Sequence, residues 1–419
     1  MVCAMEGVFY LEYQIRDLQF RLDDYILTKA NSQLMVWDNT NKVMTPLPNN
    51  DITIMAPQFI DKFRTFSLSE SPVVIWNDPP KNEQFVGIAL GDSFTRGVGS
   101  LYPNKASWPS IISNRNPRIE IVNLGDAGAS AKQHLVRYKK IGHLIPHNFV
   151  IQAMIPSDFF ETTSGCSFED ILDRLPSNIN PVDYYKDYFI LKKIYTPELE
   201  YFSKTTIIKS YTIYSLLRLA KRFIQFSPGG NYKKYNDIWE GICEQIETDD
   251  QFQQEQQIKQ SIESLHGEMQ TICPMDGNIC MRFFTHLMKD GNDSKKKDVI
   301  NYLGMYIKAL SAEAEKNGAK FFLIIFPEKQ QTYFYKYGKD YLRSLNPFYP
   351  VEELKRSIGS DIMYYDMTSD FTLAAKEYES KGKYLYYKTN GHWNPYGYAV
   401  TADLIEKFIE QAIDDHSNY

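Results

Sequence analysis

Two residues far apart in the chain have the types and settings of a nucleophile and its base. Ser93 follows the apolar run Phe85-Val86-Gly87-Ile88-Ala89-Leu90 and the pair Gly91-Asp92, and precedes Phe94-Thr95-Arg96-Gly97-Val98-Gly99. A buried strand that stops at a small residue and an acid presents the next hydroxyl at the carboxyl edge of a sheet, where open α/β folds bind ligands. His392 lies far downstream in the polar turn Asn390-Gly391-His392-Trp393-Asn394-Pro395, ahead of a helical pattern. An imidazole within reach of a serine hydroxyl takes its proton and turns it on an acyl carbon. Alone, the serine reads as a small residue in a tight turn and the histidine as packing at a helix start. Together they favour hydrolase chemistry.

For the two to meet, one sheet has to carry both loops. From Phe85 onward, short apolar runs alternate with amphipathic stretches. Strands are predicted at 85–90, 119–123, 149–154, 321–326 and 362–365, and helices near 108–112 and over 129–141, 298–316 and 398–413. Asn317-Gly318 reads as the stop of the third helix. Such alternation predicts an α/β fold, flavodoxin-like and three-layered α/β/α, with a five-stranded parallel sheet and a mainly helical insertion.

The 419 residues exceed what one compact core usually holds. We divide them into an N-terminal segment (1–80) packed on the core, the first half of the core (81–160), an inserted subdomain (161–297) and the second half (298–419). Pro46, Pro48, Pro57, Pro72, Pro79 and Pro80 make the first segment read as irregular after a helix at 16–27. The insert is aromatic and polar, shows no clear strand and is too long for an ordinary connection. Within it, Ile207, Ile208, Tyr211, Tyr214, Leu216, Leu217, Phe223 and Ile224 recur at helical spacing. That helix is read as a cap or core element rather than a membrane-surface one, because its polar face is not uniformly basic. The Gln-rich run 251–260 is read as a solvated helix face or linker.

Bulk composition removes several classes. A net charge of −6, with no basic cluster among the aromatics, argues against nucleic acid. Residues 91–99 lack the Gly-Lys-Ser/Thr ending of a phosphate cradle. The five cysteines form no C-x-x-C pair; Cys273 and Cys280 read either as a bridge or as two free thiols. The other histidines, His134, His143, His147, His266, His286 and His416, lack metal-ligand spacing, so neither metal nor cofactor is expected. No apolar stretch is long enough to span a bilayer, so no integral membrane span is expected. The abrupt start at Val8-Phe9-Tyr10-Leu11 leaves open a start downstream of a removed leader, and hence a cell-envelope or secreted location. Aromatic clusters at 184–189 and 333–335 suit either core packing or stacking on sugar faces.

Four blocks, in order, resemble the SGNH, or GDSL-type, hydrolases, and among them the branch of carbohydrate O-acetyl esterases and acetyltransferases. They are Gly91-Asp92-Ser93-Phe94, Asn123-Leu124-Gly125-Asp126-Ala127-Gly128, Ile155-Pro156-Ser157-Asp158 and Gly391-His392-Trp393-Asn394-Pro395. The resemblance covers roughly 85–160 and 320–410. It implies Ser93 as nucleophile, His392 as general base, and the N–H groups of Ser93 and Gly128 as oxyanion donors; Asp158 is read as orienting the loop of Ser157. The activity it implies is hydrolysis of O-acyl esters, chiefly acetyl, on a polysaccharide or an ester-bearing small molecule.

Two positions depart from the family pattern. Ser157 stands where the family has an asparagine donor to the oxyanion, and a hydroxyl reaches less far. Asn390 and Thr389 stand where the family has an aspartate two or three residues before the histidine. Asn390 offers a carbonyl without a charge, while Asp366, after the last strand, is the best substitute acid by position, although an N-cap or turn role is the favoured reading of that aspartate. These losses predict slow turnover, or a descendant that keeps the fold for glycan binding or assembly.

Overall fold

The computed structural model describes residues 85–161, 294–336 and 346–414 without a break, and shorter stretches between 27 and 77 and between 175 and 284. The chain divides into two compact units. One takes in Leu22–Met35, Thr45–Ser164 and Glu255–Tyr419; the other takes in Met1–Arg21, Val36–Met44 and Gly165–Gln254. In chain order the strands are β1 (Leu27–Ala30), β2 (Met35–Asp38), β3 (Val43–Pro46), β4 (Asp51–Ala56), β5 (Phe59–Arg64), β6 (Phe66–Ser67) and β7 (Val74–Ile75). There follow β8 (Val86–Leu90), β9 (Glu120–Asn123), β10 (Phe149–Met154), β11 (Met269–Ile272), β12 (Met281–Phe284), β13 (Lys320–Ile325) and β14 (Met363–Asp366).

A five-stranded sheet in the order β14-β13-β10-β8-β9 forms the centre, with every adjacent pair parallel. The chain leaves β8 for β9 on one side and crosses back to β10 on the other, which is the flavodoxin-like order. Its switch point therefore lies between β8 and β10, the place at whose carboxyl ends open α/β folds bind ligands. The sequence composes these strands as fully covered ones: β10 is buried along its whole length and β13 from Phe321 on. Phe322 and Ile324 of β13 join Ile151, Ala153, Trp108, Phe371 and Trp393 in one cluster, so the alternating Phe321, Leu323 and Ile325 serve the opposite face. Helices Ala131–Lys140, Ser294–Lys316 and Tyr349–Ile358 pack together in one layer, and Trp108–Arg115, Thr368–Ser380 and Pro395–Asp414 in the other. The edge strand β14 leaves Met363 and Tyr364 exposed.

Two sequence expectations change. The N-terminal segment is not irregular where it is described: β1, β4 and β5 make an antiparallel sheet. Prolines bound strands as readily as they break helices, and Pro57 falls between β4 and β5. Leu27, expected to end a helix, opens β1, while 16–26 lie outside the described residues. Within 161–297, where no strand was expected, β11 and β12 pair antiparallel. The predicted helix over 207–224 and both Cys273 and Cys280 lie outside the described residues.

Candidate active site

Ser93 opens a one-turn helix, Ser93–Arg96, directly after β8. Asp92 caps it, with Oδ1 accepting from Phe94 N–H at 2.9 Å. Gly97, at φ 98°, ends it in the left-handed conformation that spares glycine any strain, and its N–H bonds back to the Ser93 carbonyl. Gly91 is dictated by close approach: a Cβ there would stand 2.1 Å from Thr95 Oγ1. The result is a tight elbow that leaves the Ser93 side chain half-buried at the rim of the sheet.

The histidine turn comes to the same rim. His392 Nε2 lies 2.8 Å from Ser93 Oγ, while Asp92 Oδ2 is at 3.4 Å from that hydroxyl. The other ring nitrogen, Nδ1, lies 2.6 Å from Asn390 Oδ1. That amide cannot be reversed without loss, because the same oxygen accepts from the His392 backbone N–H at 2.9 Å. A carbonyl oxygen only accepts, so Nδ1 carries the proton and, in the neutral ring, Nε2 is left with the lone pair that faces the serine. The ring is wedged between Phe94, centroid to centroid 5.1 Å, and Phe59, 6.4 Å edge-on. Behind it Trp393, fully buried, packs on Phe94 and Phe326.

Asp366 makes its bonds elsewhere. Its carboxylate accepts from Lys355 Nζ at 2.8 Å and from Thr368 N–H and Oγ1 at 3.0 and 2.6 Å, fixing the start of helix Thr368–Ser380. The physical reason is the strand order: β14 is three strand spacings from β8, on the order of 14 Å. The group at the far ring nitrogen is the buried Asn390.

The remaining candidates line neighbouring loops. Gly128, at φ 78°, is exposed, with nothing within 4 Å of where a Cβ would stand. Its loop is tied to the elbow by Asp126 N–H on the Gly91 carbonyl, 2.8 Å, and Asp126 is itself held by the buried Arg137 at 3.1 Å. Ser157 is half-buried and its backbone N–H donates to Glu328 Oε1 at 2.9 Å, leaving the hydroxyl as the donor toward any ligand. The buried Asp158 closes this turn, with Oδ2 accepting from Ile155 N–H at 3.0 Å.

Several positioning groups escaped sequence reading. Asn123, buried, donates to the Thr95 carbonyl and accepts from Gly125 N–H, linking the elbow to the loop of Gly128. Lys329, buried, donates to the carbonyls of Tyr387 at 2.7 Å and Asn390 at 2.6 Å. Gln58 Oε1 accepts from Thr389 N–H at 3.1 Å and Asn390 N–H at 2.9 Å. Asp61, buried on β5, accepts from Gly99 N–H at 2.7 Å and Leu101 N–H at 2.8 Å. A signal existed for this last one. Asp61 occupies an inward position of the alternating run Phe59-Ile60-Asp61-Lys62-Phe63-Arg64, where an apolar residue is expected.

Elsewhere, the buried His134 is held neutral: burial, with the Arg137 charge beside it, lowers its pKa to about 3. Tyr333, from the aromatic run 333–335, is buried and its hydroxyl accepts from Leu385 N–H, so this ring belongs to the core. Among the described residues no group of three or more His, Cys, Asp or Glu side chains is placed to hold a metal ion. Among them also, no helix is long and apolar enough to cross a membrane.

No family model matches the chain, and no curated protein does. Among solved structures it is similar to LAE5, an alpha/beta hydrolase enzyme from the metagenome of Lake Arreo, Spain. That likeness has 18% identity, covers 26% of this chain and 54% of that one, and has a TM-score of 0.14. The chain thus spans about half the length of that structure.

Proposed function

We propose that this chain is a serine esterase of the SGNH type that hydrolyses O-acyl esters, chiefly acetyl esters, of carbohydrate or cell-envelope material. The observation that carries the reading is the chain of contacts from Ser93 Oγ through His392 to Asn390, with the lone pair of Nε2 facing the hydroxyl. Its place at the carboxyl end of β8, beside the switch point, adds support.

In the proposed reaction Ser93 Oγ attacks the acyl carbon while its proton passes to Nε2. The imidazolium then gives that proton to the departing alkoxide, leaving an acyl-serine and a free alcohol. Water repeats the sequence: Nε2 takes its proton, the hydroxide oxygen bonds the acyl carbon, and the serine is restored as the carboxylic acid leaves. The negative oxygen of each tetrahedral intermediate is assigned to the N–H groups of Ser93 and Gly128 and the hydroxyl of Ser157. Asn390 orients the ring through Nδ1–H but brings no charge to the imidazolium, so turnover is slow relative to a charged triad. A sugar hydroxyl in place of water makes the same acyl-serine an acyltransferase intermediate.

The neutral Asn390 also favours a second reading, a glycan-binding or assembly protein that has kept the site without turnover. A fluorophosphonate probe separates the two. Labelling of the wild type, lost in Ser93→Ala, together with release of acetate from an acetylated polysaccharide, is the expected result. A folded, unlabelled wild type that still binds polysaccharide would overturn the esterase in favour of the binding protein.

A further inference from the structure

Strand β5 touches both halves of the proposed catalytic pair from outside the sheet that carries them. Just before β5, Gln58 Oε1 receives the backbone N–H groups of Thr389 and Asn390, and at the strand's start the Phe59 ring meets Tyr387 at 5.1 Å and the His392 ring edge-on. Three residues on, Asp61 receives the N–H groups of Gly99 and Leu101, and Lys62 N–H donates to the Leu101 carbonyl at 2.9 Å. The loop 97–101 is continuous with the elbow of Ser93, through Gly97 and Val98 N–H on the Ser93 carbonyl.

We propose that Gln58 is a positioning residue of the active site, and that with Asp61 it makes β5 a clasp that sets the separation of Ser93 and His392. The proposal rests on the esterase reading for its rate consequences but not for its geometry. Tyr387 Oη donates to the Gly99 carbonyl at 2.7 Å, so the two clasped loops are already joined on their inner side. Lys329 holds the carbonyls of Tyr387, Lys388 and Asn390, and Gln58 holds the N–H groups of Thr389 and Asn390 in the same turn. With both sets of backbone groups fixed, the turn has little freedom to rotate, and Asn390 Oδ1 stays aimed at Nδ1. Removing the Gln58 oxygen frees two N–H groups at once. The acceptor of the histidine proton is then displaced without any change in the residues that touch substrate. Displacements of about 1 Å cost on the order of a hundredfold in rate.

The test compares Gln58→Ala and Gln58→Glu with wild type in hydrolysis of p-nitrophenyl acetate. Gln58→Ala is expected to lower kcat by about ten- to hundredfold with KM within about twofold. Gln58→Glu keeps an acceptor oxygen for both N–H groups and is expected to return kcat to within about threefold, with the acid limb of its pH profile moved upward by the added charge. Proton NMR of the Nδ1–H of His392 reads the geometry without turnover. That resonance is expected in wild type and Gln58→Glu and lost to exchange in Gln58→Ala. A folded Gln58→Ala that keeps both its kcat and that resonance overturns the clasp. A wild type without esterase activity overturns the reaction instead, and the resonance still decides whether Gln58 positions the turn.

Discussion

Asn390 Oδ1 accepts from His392 twice, from its backbone N–H at 2.9 Å and from its ring at 2.6 Å. The first bond decides the second, because it fixes which end of the amide faces the imidazole. In a serine protease, the exchange of aspartate for asparagine costs about ten-thousandfold, largely through the wrong tautomer. For the proposed reaction the neutral ring held by Asn390 is already in the productive tautomer, and the part not supplied is charge.

Asn390→Asp therefore keeps both bonds and adds a carboxylate opposite the imidazolium. We expect kcat/KM for p-nitrophenyl acetate to rise by about ten- to hundredfold, less than the protease figure because no tautomer is being corrected. The carboxylate favours the protonated ring, so the acid limb of the pH–rate profile moves to higher pH. Unchanged rate and unchanged limb in a folded variant would show that charge at this position does not limit the reaction.

Asp366 gives the opposite expectation. Its carboxylate bonds Lys355 and Thr368, and it ends β14, three strands from the β8 that leads to Ser93. Asp366→Asn is expected to keep kcat within about threefold and to lose about 1 kcal/mol of stability, the scale of a partly exposed ion pair plus a helix-start contact. A hundredfold fall in kcat without a change in urea midpoint would restore it as the acid.

Ser93, His392 and the sheet were legible because their signals are local. The Phe321 to Phe326 run, the stop at Gly91-Asp92 and the turn before Pro395 each depend on near neighbours in sequence. The choice between Asn390 and Asp366 was not local. It depends on the order of strands, and on the helix Thr368–Ser380, which separates β14 from the histidine turn and which the sequence reading did not foresee. That helix buries only Thr368, Phe371 and Ala375, too narrow a stripe to stand out by periodicity. Gln58 and Asp61 act across long sequence distances, so spacing could not reveal their partners.

Asp61 also makes stability depend on pH in a defined direction. Burial raises its pKa from 3.8 to about 6, against the lowering effect of the Gly99 and Leu101 N–H groups and of Arg96. Below about pH 4 the group is protonated in both folded and unfolded chains. Between 4 and 6 the unfolded chain releases its proton first, so the folded state loses stability as pH rises through that window and is then level. A shift of about two units corresponds to about 3 kcal/mol at most. Urea unfolding of wild type and Asp61→Asn at pH 4.5 and 7.5 measures it: the wild type is expected to lose the larger share on going to 7.5. Equal pH dependence in the two proteins would place the ionisation of Asp61 outside the stability balance.

In the proposed reaction Ser157 bears on how the oxyanion is held. Glu328 Oε1 occupies its backbone N–H, so only the hydroxyl is free to turn toward a developing charge, and it does so beside a carboxylate. A donor of this kind is worth about a hundredfold or more where it is well aimed. The shorter hydroxyl, next to Glu328, is expected to deliver about tenfold, and Ser157→Ala to lower kcat by that factor with KM nearly unchanged. Ser157→Asn extends an amide N–H past the backbone position and is expected to raise kcat above wild type. If Ser157→Ala keeps the full kcat, the tetrahedral intermediate relies on the backbone N–H groups of Ser93 and Gly128 alone. The gain from Ser157→Asn then becomes the measure of what an amide donor adds at this position.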